Sequence, residues 1–223
     1  MQSMKKMDFR CKTGCFITFE GMEGCGKSTQ IRLLAEKLRS LGHEVTVSRS
    51  PGGTPVAEKI RTLLKVRTPE DDLTPEAELL LFGACHAQMT RHLILPILEK
   101  GGILLSDRFF DSTTAYQGYA RGLDLEMVLR INRFACGELE PDMTLVLDLD
   151  PELGIERSRK RAALEDDRFD SEKMKFHHDV RNAFLDLAKR NPQRFRVIDA
   201  SQAPEQVHNQ IMEALDDTLA NLC

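Results

Sequence analysis

The sequence predicts an α/β fold with a five-stranded parallel sheet covered by helices on both faces. Three observations carry that prediction. Short apolar runs suited to strands alternate with longer stretches of helical periodicity from residue 15 onward. The first run, Cys15-Phe16-Ile17-Thr18-Phe19, leads into Gly21-Met22-Glu23-Gly24-Cys25-Gly26-Lys27-Ser28, which fits G-x-x-x-x-G-K-[ST] at every fixed position and so points to a P-loop NTPase fold. The run Ile103-Leu104-Leu105 is uniformly apolar, as a strand covered on both faces must be.

Taken in order, Ile31, Leu34, Ala35, Leu38 and Leu41 recur at helical spacing after the glycine-rich loop, and Gly42 stops the pattern where a C-terminal cap belongs. Glu44–Ser48 alternates as a strand and runs into the turn Arg49-Ser50-Pro51-Gly52-Gly53-Thr54. Val56–Leu64 reads as a helix, and Pro69–Asp72 as a solvated connection. Thr74-Pro75-Glu76 opens a long helix through Leu79, Phe82, Met89 and Ile97 that Pro96 should kink before Gly101-Gly102 closes it. After the strand at Ile103–Leu105, Leu125–Leu139 is helical and Met143–Leu149 is a buried strand. A basic segment beyond Pro151, a helix at Met174–Lys189, a strand at Phe195–Ile198 and a closing helix from Pro204 complete one domain spanning residues 1–223. Within it, residues 1–13 form an N-terminal extension and about 152–170 a short lid.

Composition narrows the partners. A net charge of −4 gives no basic field for nucleic acid, so an anion must be held by a local cluster, as suits a small charged substrate. The six cysteines, Cys11, Cys15, Cys25, Cys85, Cys136 and Cys223, lack paired C-x-x-C spacing, and one sits inside the glycine-rich loop. Reduced thiols in a soluble, cytoplasmic protein account for them. No apolar run reaches membrane-spanning length.

The chemistry gathers at three places. In the loop, the backbone N–H groups of residues 21–28, the start of the next helix and the charge of Lys27 form a cup for a polyphosphate, and the Ser28 hydroxyl suits Mg²⁺. Asp107-Arg108, at the carboxyl end of a central strand, pairs a carboxylate with a fork-shaped cation beside the hydroxyl- and amide-rich stretch Ser112–Gly118. That pair serves equally as a structural ion pair. Arg157-Ser158-Arg159-Lys160-Arg161, followed by the acidic stretch from Glu165 to Asp170, reads either as a solvated helix face or as a lid that places a guanidinium on a transferring phosphoryl group.

The motifs Phe19–Gln30, Arg49–Thr54, Asp107-Arg108 with Ser112 and Ala115–Gly118, and the arginine segment ending Asp167-Arg168-Phe169-Asp170 occur in order along nearly the whole chain. This set resembles the thymidylate kinase family of the bacterial type. The resemblance implies a nucleoside monophosphate kinase that moves the γ-phosphoryl of ATP to dTMP, with Mg²⁺, in a homodimer built on long helices. It implies that Gly21, Met22, Glu23, Gly24, Cys25, Gly26, Lys27, Ser28 and Thr29, with Arg157, hold ATP. Arg49 and Arg108 would grip the acceptor phosphate beside Glu23, and Pro51, Phe82, His86, Thr113, Tyr116 and Gln117 would surround the nucleoside, with Phe82 stacked on the base. Ser28, Glu23, Asp107 and Asp170 would serve the metal, and the lid would supply the catalytic cation, Arg161 ahead of Arg159. Two positions depart from the family pattern: Ser50 stands where a glutamate is usual, leaving Arg49 without a neighbouring carboxylate, and His86 where an arginine is usual, with Arg91 further along the helix. The rival readings are a kinase of another nucleoside or nucleoside monophosphate, a catalytically silent relative, and a GTP-driven switch, which lacks its D-x-x-G and N-K-x-D sequences here.

Overall fold

The computed structural model describes residues 14–66, 72–161 and 172–222. Its sheet has five parallel strands, β1 (Cys15–Glu20), β2 (Val45–Arg49), β3 (Ile103–Asp107), β4 (Met143–Asp148) and β5 (Phe195–Asp199), in the order β2-β3-β1-β4-β5. Because β1 lies between β3 and β4, the chain departs to opposite sides of it, and a crevice opens at the carboxyl ends of these three strands. Everything described below as functional gathers at that crevice.

Alternation along β1 explains its central place. Ile17 and Phe19 face one layer of helices and Phe16 the other, all without solvent exposure. On the first side they meet Ile31, Leu34 and Leu38 of α1 (Lys27–Ser40) and Val207, Ile211 and Leu215 of α9 (Pro204–Leu222). On the second, Phe16 and Leu104 pack on Cys85 and Met89 of α3 (Pro75–Met89) and Ala135 of α6 (Leu125–Cys136). Each fully buried apolar side chain contributes about 1.5–3 kcal/mol, so the helices are fixed by packing more than by intrinsic propensity.

Local signals set the helix starts. Thr54 accepts from the Ala57 N–H ahead of α2 (Pro55–Lys65), and Thr74 does the same for Ala77 ahead of α3, each with proline as the first helical residue. The expected disturbance from Pro96 begins before the proline: Thr90–Ile94 forms a π-helical turn between α3 and α4 (Leu95–Glu99). Proline has no N–H for the carbonyl four residues back and its ring crowds it, so the turn widens. A second π-helical stretch, Thr114–Ala120, follows the short α5 (Phe110–Thr113). The remaining helices are α7 (Pro151–Arg161) and α8 (Met174–Arg190). No helix among the described residues is long and apolar enough to cross a membrane.

Candidate active site

The loop between β1 and α1 is shaped by glycines in the left-handed region, Gly24 at φ +72° and Gly26 at φ +98°. A methyl group on Gly24 would stand 2.0 Å from the Gly154 carbonyl oxygen, and one on Gly154 would stand 2.7 Å from that of Glu23. The first turns of α7 therefore rest on the loop backbone at a distance only glycine permits. Lys27 is buried and its Nζ donates to the Gly21 carbonyl at 3.1 Å and the Met22 carbonyl at 2.8 Å, close to Cys25 Sγ. Ser28 Oγ lies 3.4 Å from Asp107 Oδ2, at the end of the adjacent strand. Two hard oxygen donors on facing elements beside a phosphate cup suit Mg²⁺.

Across the crevice, a cleft enclosing about 640 Å³ of empty space, its open mouth included, runs from Glu23 to α3. Phe82, His86, Thr113, Tyr116 and Gln117 line it together with Ser50 and Pro51. Arg108 joins loop and cleft: its Nη2 donates to Glu23 Oε1 at 2.7 Å, and its guanidinium lies 5.0 Å from the centre of the Tyr116 ring. The Tyr116 hydroxyl donates to the same carboxylate at 2.9 and 3.1 Å. Burial pulls Glu23 upward, but Arg108 and Lys27 outweigh it and hold its carboxyl below the usual range, so Glu23 stands as a carboxylate committed to Arg108 and Tyr116. Ser28 and Asp107 meet on the other side of the loop, while Glu23 is held by Arg108 and Tyr116.

His86 is buried and its Nε2 lies 3.0 Å from Ser50 Oγ, so the two departures from the family pattern touch each other. Burial drives the His86 pKa down to about 3, leaving a neutral ring. The Gln117 amide donates to the Glu78 carboxylate at 2.7 Å, which fixes the orientation of the amide. His86 Nδ1, Thr113 Oγ1 and Gln117 Oε1 are buried without a partner among the described residues, giving this wall hydrogen-bonding capacity that the protein leaves unused.

Several expected residues stand elsewhere. Arg49 does not enter the cleft; it shares a face of edge strand β2 with half-exposed Val47 and lines a groove beside Ser28 and Asp107. Nor does it lack a carboxylate: Glu58 of α2 pairs with its guanidinium at 3.0 Å and also accepts from the Gly53 N–H, replacing the glutamate expected at position 50. Arg91 turns away from the cleft and donates to the Ala135 carbonyl at 2.7 Å, so it does not substitute for an arginine at position 86. Arg157 reaches the turn after β5, donating to the Ala200 carbonyl at 3.2 Å, and Arg159 is exposed on α7. Of Arg161 only its place as the last residue of α7 is described, and Asp170, with the rest of the lid from 162 to 170, lies outside the described residues, as do Cys11 and Cys223.

The sequence reading missed Arg61, Leu64 and Lys65, one helical turn of α2 that lines the cleft with Tyr116 and Gln117. Two cations four residues apart flanking a leucine were the available signal. It also missed Glu20, a carboxylate buried at the end of β1.

The family model described as thymidylate kinase matches residues 19–211. The chain belongs to the thymidylate kinase family. It is 48% identical over 200 residues to the thymidylate kinase of Syntrophotalea carbinolica, which covers 88% of this chain and 92% of that protein. It is 44% identical over 213 residues to that of Citrifermentans bemidjiense, covering 94% of each chain. The crystal structure of thymidylate kinase from Ehrlichia chaffeensis superposes with a TM-score of 0.72 at 35% identity, over 91% of this chain and 98% of that one.

Proposed function

We infer that the chain is a nucleoside monophosphate kinase that transfers the γ-phosphoryl of ATP to dTMP, giving dTDP and ADP, as a cytoplasmic homodimer. The observation that carries this reading is the Glu23–Arg108 pair at 2.7 Å, which couples the donor-phosphate loop to a cleft with an aromatic wall and unused polar atoms. In this reading Gly21 to Thr29 hold the ATP phosphates and Lys27 supplies charge to them. Ser28 and Asp107 would hold Mg²⁺, which neutralises phosphate charge when bound. Arg108, fixed by Glu23, grips the acceptor phosphate, while Phe82 flanks the base and His86, Thr113 and Gln117 meet its edge. Phosphoryl transfer demands little covalent chemistry from the protein, so these residues act by holding two phosphates in line and neutralising charge. Arg157 steadies the nucleotide end near Ala200, and Arg159 or Arg161, with Asp170, completes the lid. Exposed Leu80 of α3 and Met127 and Phe134 of α6, helices that pack on each other, offer an apolar surface for a second copy.

An ATP-coupled assay comparing dTMP, dUMP, dCMP, dGMP and thymidine tests the acceptor. The reading expects dTMP to give the highest kcat/KM. A preference for any other acceptor overturns it in favour of a different kinase of the same fold.

A further inference from the structure

We propose that Glu20 is the positioning residue for Arg108, acting on both its backbone and its side chain. Arg108 is the one non-glycine residue with positive φ among the described residues, at +71°, a conformation an L-residue adopts only when its surroundings impose it. Both peptide groups around it are held. Its N–H donates to the Phe19 carbonyl at 2.9 Å, its carbonyl accepts from Ser106 Oγ at 2.8 Å, and the next N–H, of Phe109, donates to Glu20 Oε1 at 2.8 Å. The other carboxylate oxygen of Glu20 bonds Ser112 Oγ at 2.5 Å, and that hydroxyl accepts from Arg108 Nη1 at 3.0 Å. Glu20 thus fixes the turn from which the guanidinium springs and, through Ser112, one of its two terminal nitrogens. Glu23 fixes the other.

Glu20 has no solvent exposure and lines neither the cleft nor the groove, so it reaches a ligand only through Arg108. Burial and the neighbouring Asp111 push its pKa up to about 8, against Arg108, which pulls it down. The arrangement works in either protonation state: Oε1 accepts from the Phe109 N–H in both, and the contact with Ser112 needs one proton from either oxygen. A glutamine can reproduce both bonds, whereas a methionine fills the space and makes neither.

The inference rests on the reading of Arg108 as the cation that grips the acceptor phosphate. Four variants, E20M, E20Q, R108A and E20M/R108A, are to be compared by steady-state kinetics and by dTMP titration calorimetry. R108A should weaken dTMP by about 100-fold, the cost of truncating one partner of a buried charge contact. E20M should weaken dTMP by about tenfold, the value of a net hydrogen bond or so, while the KM for ATP stays within about twofold. E20Q should restore dTMP affinity to within about threefold of the parent, and the double variant should bind no worse than R108A alone. E20M with unchanged dTMP affinity, losses that multiply in the double variant, or an E20Q as impaired as E20M would each overturn the role of Glu20 and leave that of Arg108 standing. An R108A that binds dTMP as well as the parent would overturn both. Should E20M fail to fold, S112A removes the side-chain arm and leaves the Phe109 N–H on Glu20, so it must produce a dTMP-selective loss smaller than about tenfold, its absence counting against the proposal.

Discussion

Ser50 and His86 meet at 3.0 Å, and exchanging both for the residues usual in the family should succeed where exchanging either one fails. His86→Arg places a guanidinium where the parent side chain is 1% exposed and neutral, and Ser50→Glu places a carboxylate at a position 5% exposed. A buried charge without its counterion costs about 3–5 kcal/mol. At roughly 2–4 °C per kcal/mol for a chain of this size, each single variant should lose about 6–20 °C in Tm. In S50E/H86R the two charges face one another across the gap now spanned by the His86–Ser50 hydrogen bond, and a coupling of about 2–4 kcal/mol should return most of the loss. Urea unfolding of the four proteins at neutral pH yields the cycle directly. Losses that add to within about 0.5 kcal/mol would refute the claim that these residues act as a pair.

Three further outcomes are expected. Lys27→Ala should lower kcat by about 100-fold or more, through loss of phosphate-directed charge, yet move Tm by less than about 4 °C because it removes two carbonyl contacts worth about 1 kcal/mol net; thermal melts beside a turnover assay check both. Gly154→Ala sets a methyl 2.7 Å from the Glu23 carbonyl oxygen, so it should displace the phosphate loop, raise the KM for ATP by about tenfold and cost about 1–3 kcal/mol in urea unfolding. Glu20 governs a pH effect on stability. Its pKa rises from 4.5 to about 8 on folding, so the folded state keeps a proton that the unfolded chain has lost, and stability falls as pH rises through that window. The fall amounts to at most about 5 kcal/mol and levels off above the folded pKa. In melts across that range, E20Q should gain on the parent as pH rises; a constant difference would contradict the assignment.

The strands β1, β3 and β4 are legible because each is a short apolar run, and burial on both faces is written directly into such runs, whereas β2 and β5, partly exposed at the sheet edges, show themselves by polar residues set among the apolar ones. The phosphate loop was legible because its conformation depends on glycines at fixed spacing. Phe110–Ala120 carries a weak helical signal, because its mixture of hydroxyls, an amide and Gly118 shows no apolar period, and packing against α8 and α6 forms the helix. Alternation along an edge strand sets Arg49 on the face of Val47, beside the groove that Ser28 and Asp107 line. The pairing of residue 50 with residue 86, and of Glu58 with Arg49, depends on α2 and α3 folding back over the turn, which no local pattern encodes. Glu20 left a faint trace, a charge closing an apolar strand, whose meaning came only with the peptide it caps.

In the proposed reaction the phosphate loop and the Arg108 cleft form one centre for transfer between nucleotides. Mixing the protein with ATP labelled in its γ-phosphate, dTMP and Mg²⁺, and separating the products after a single turnover, tests it most directly. Label in the terminal phosphate of dTDP, lost on Arg108→Ala, is the predicted result; label released only as inorganic phosphate, or carried to an acceptor other than dTMP when several are offered together, would contradict it.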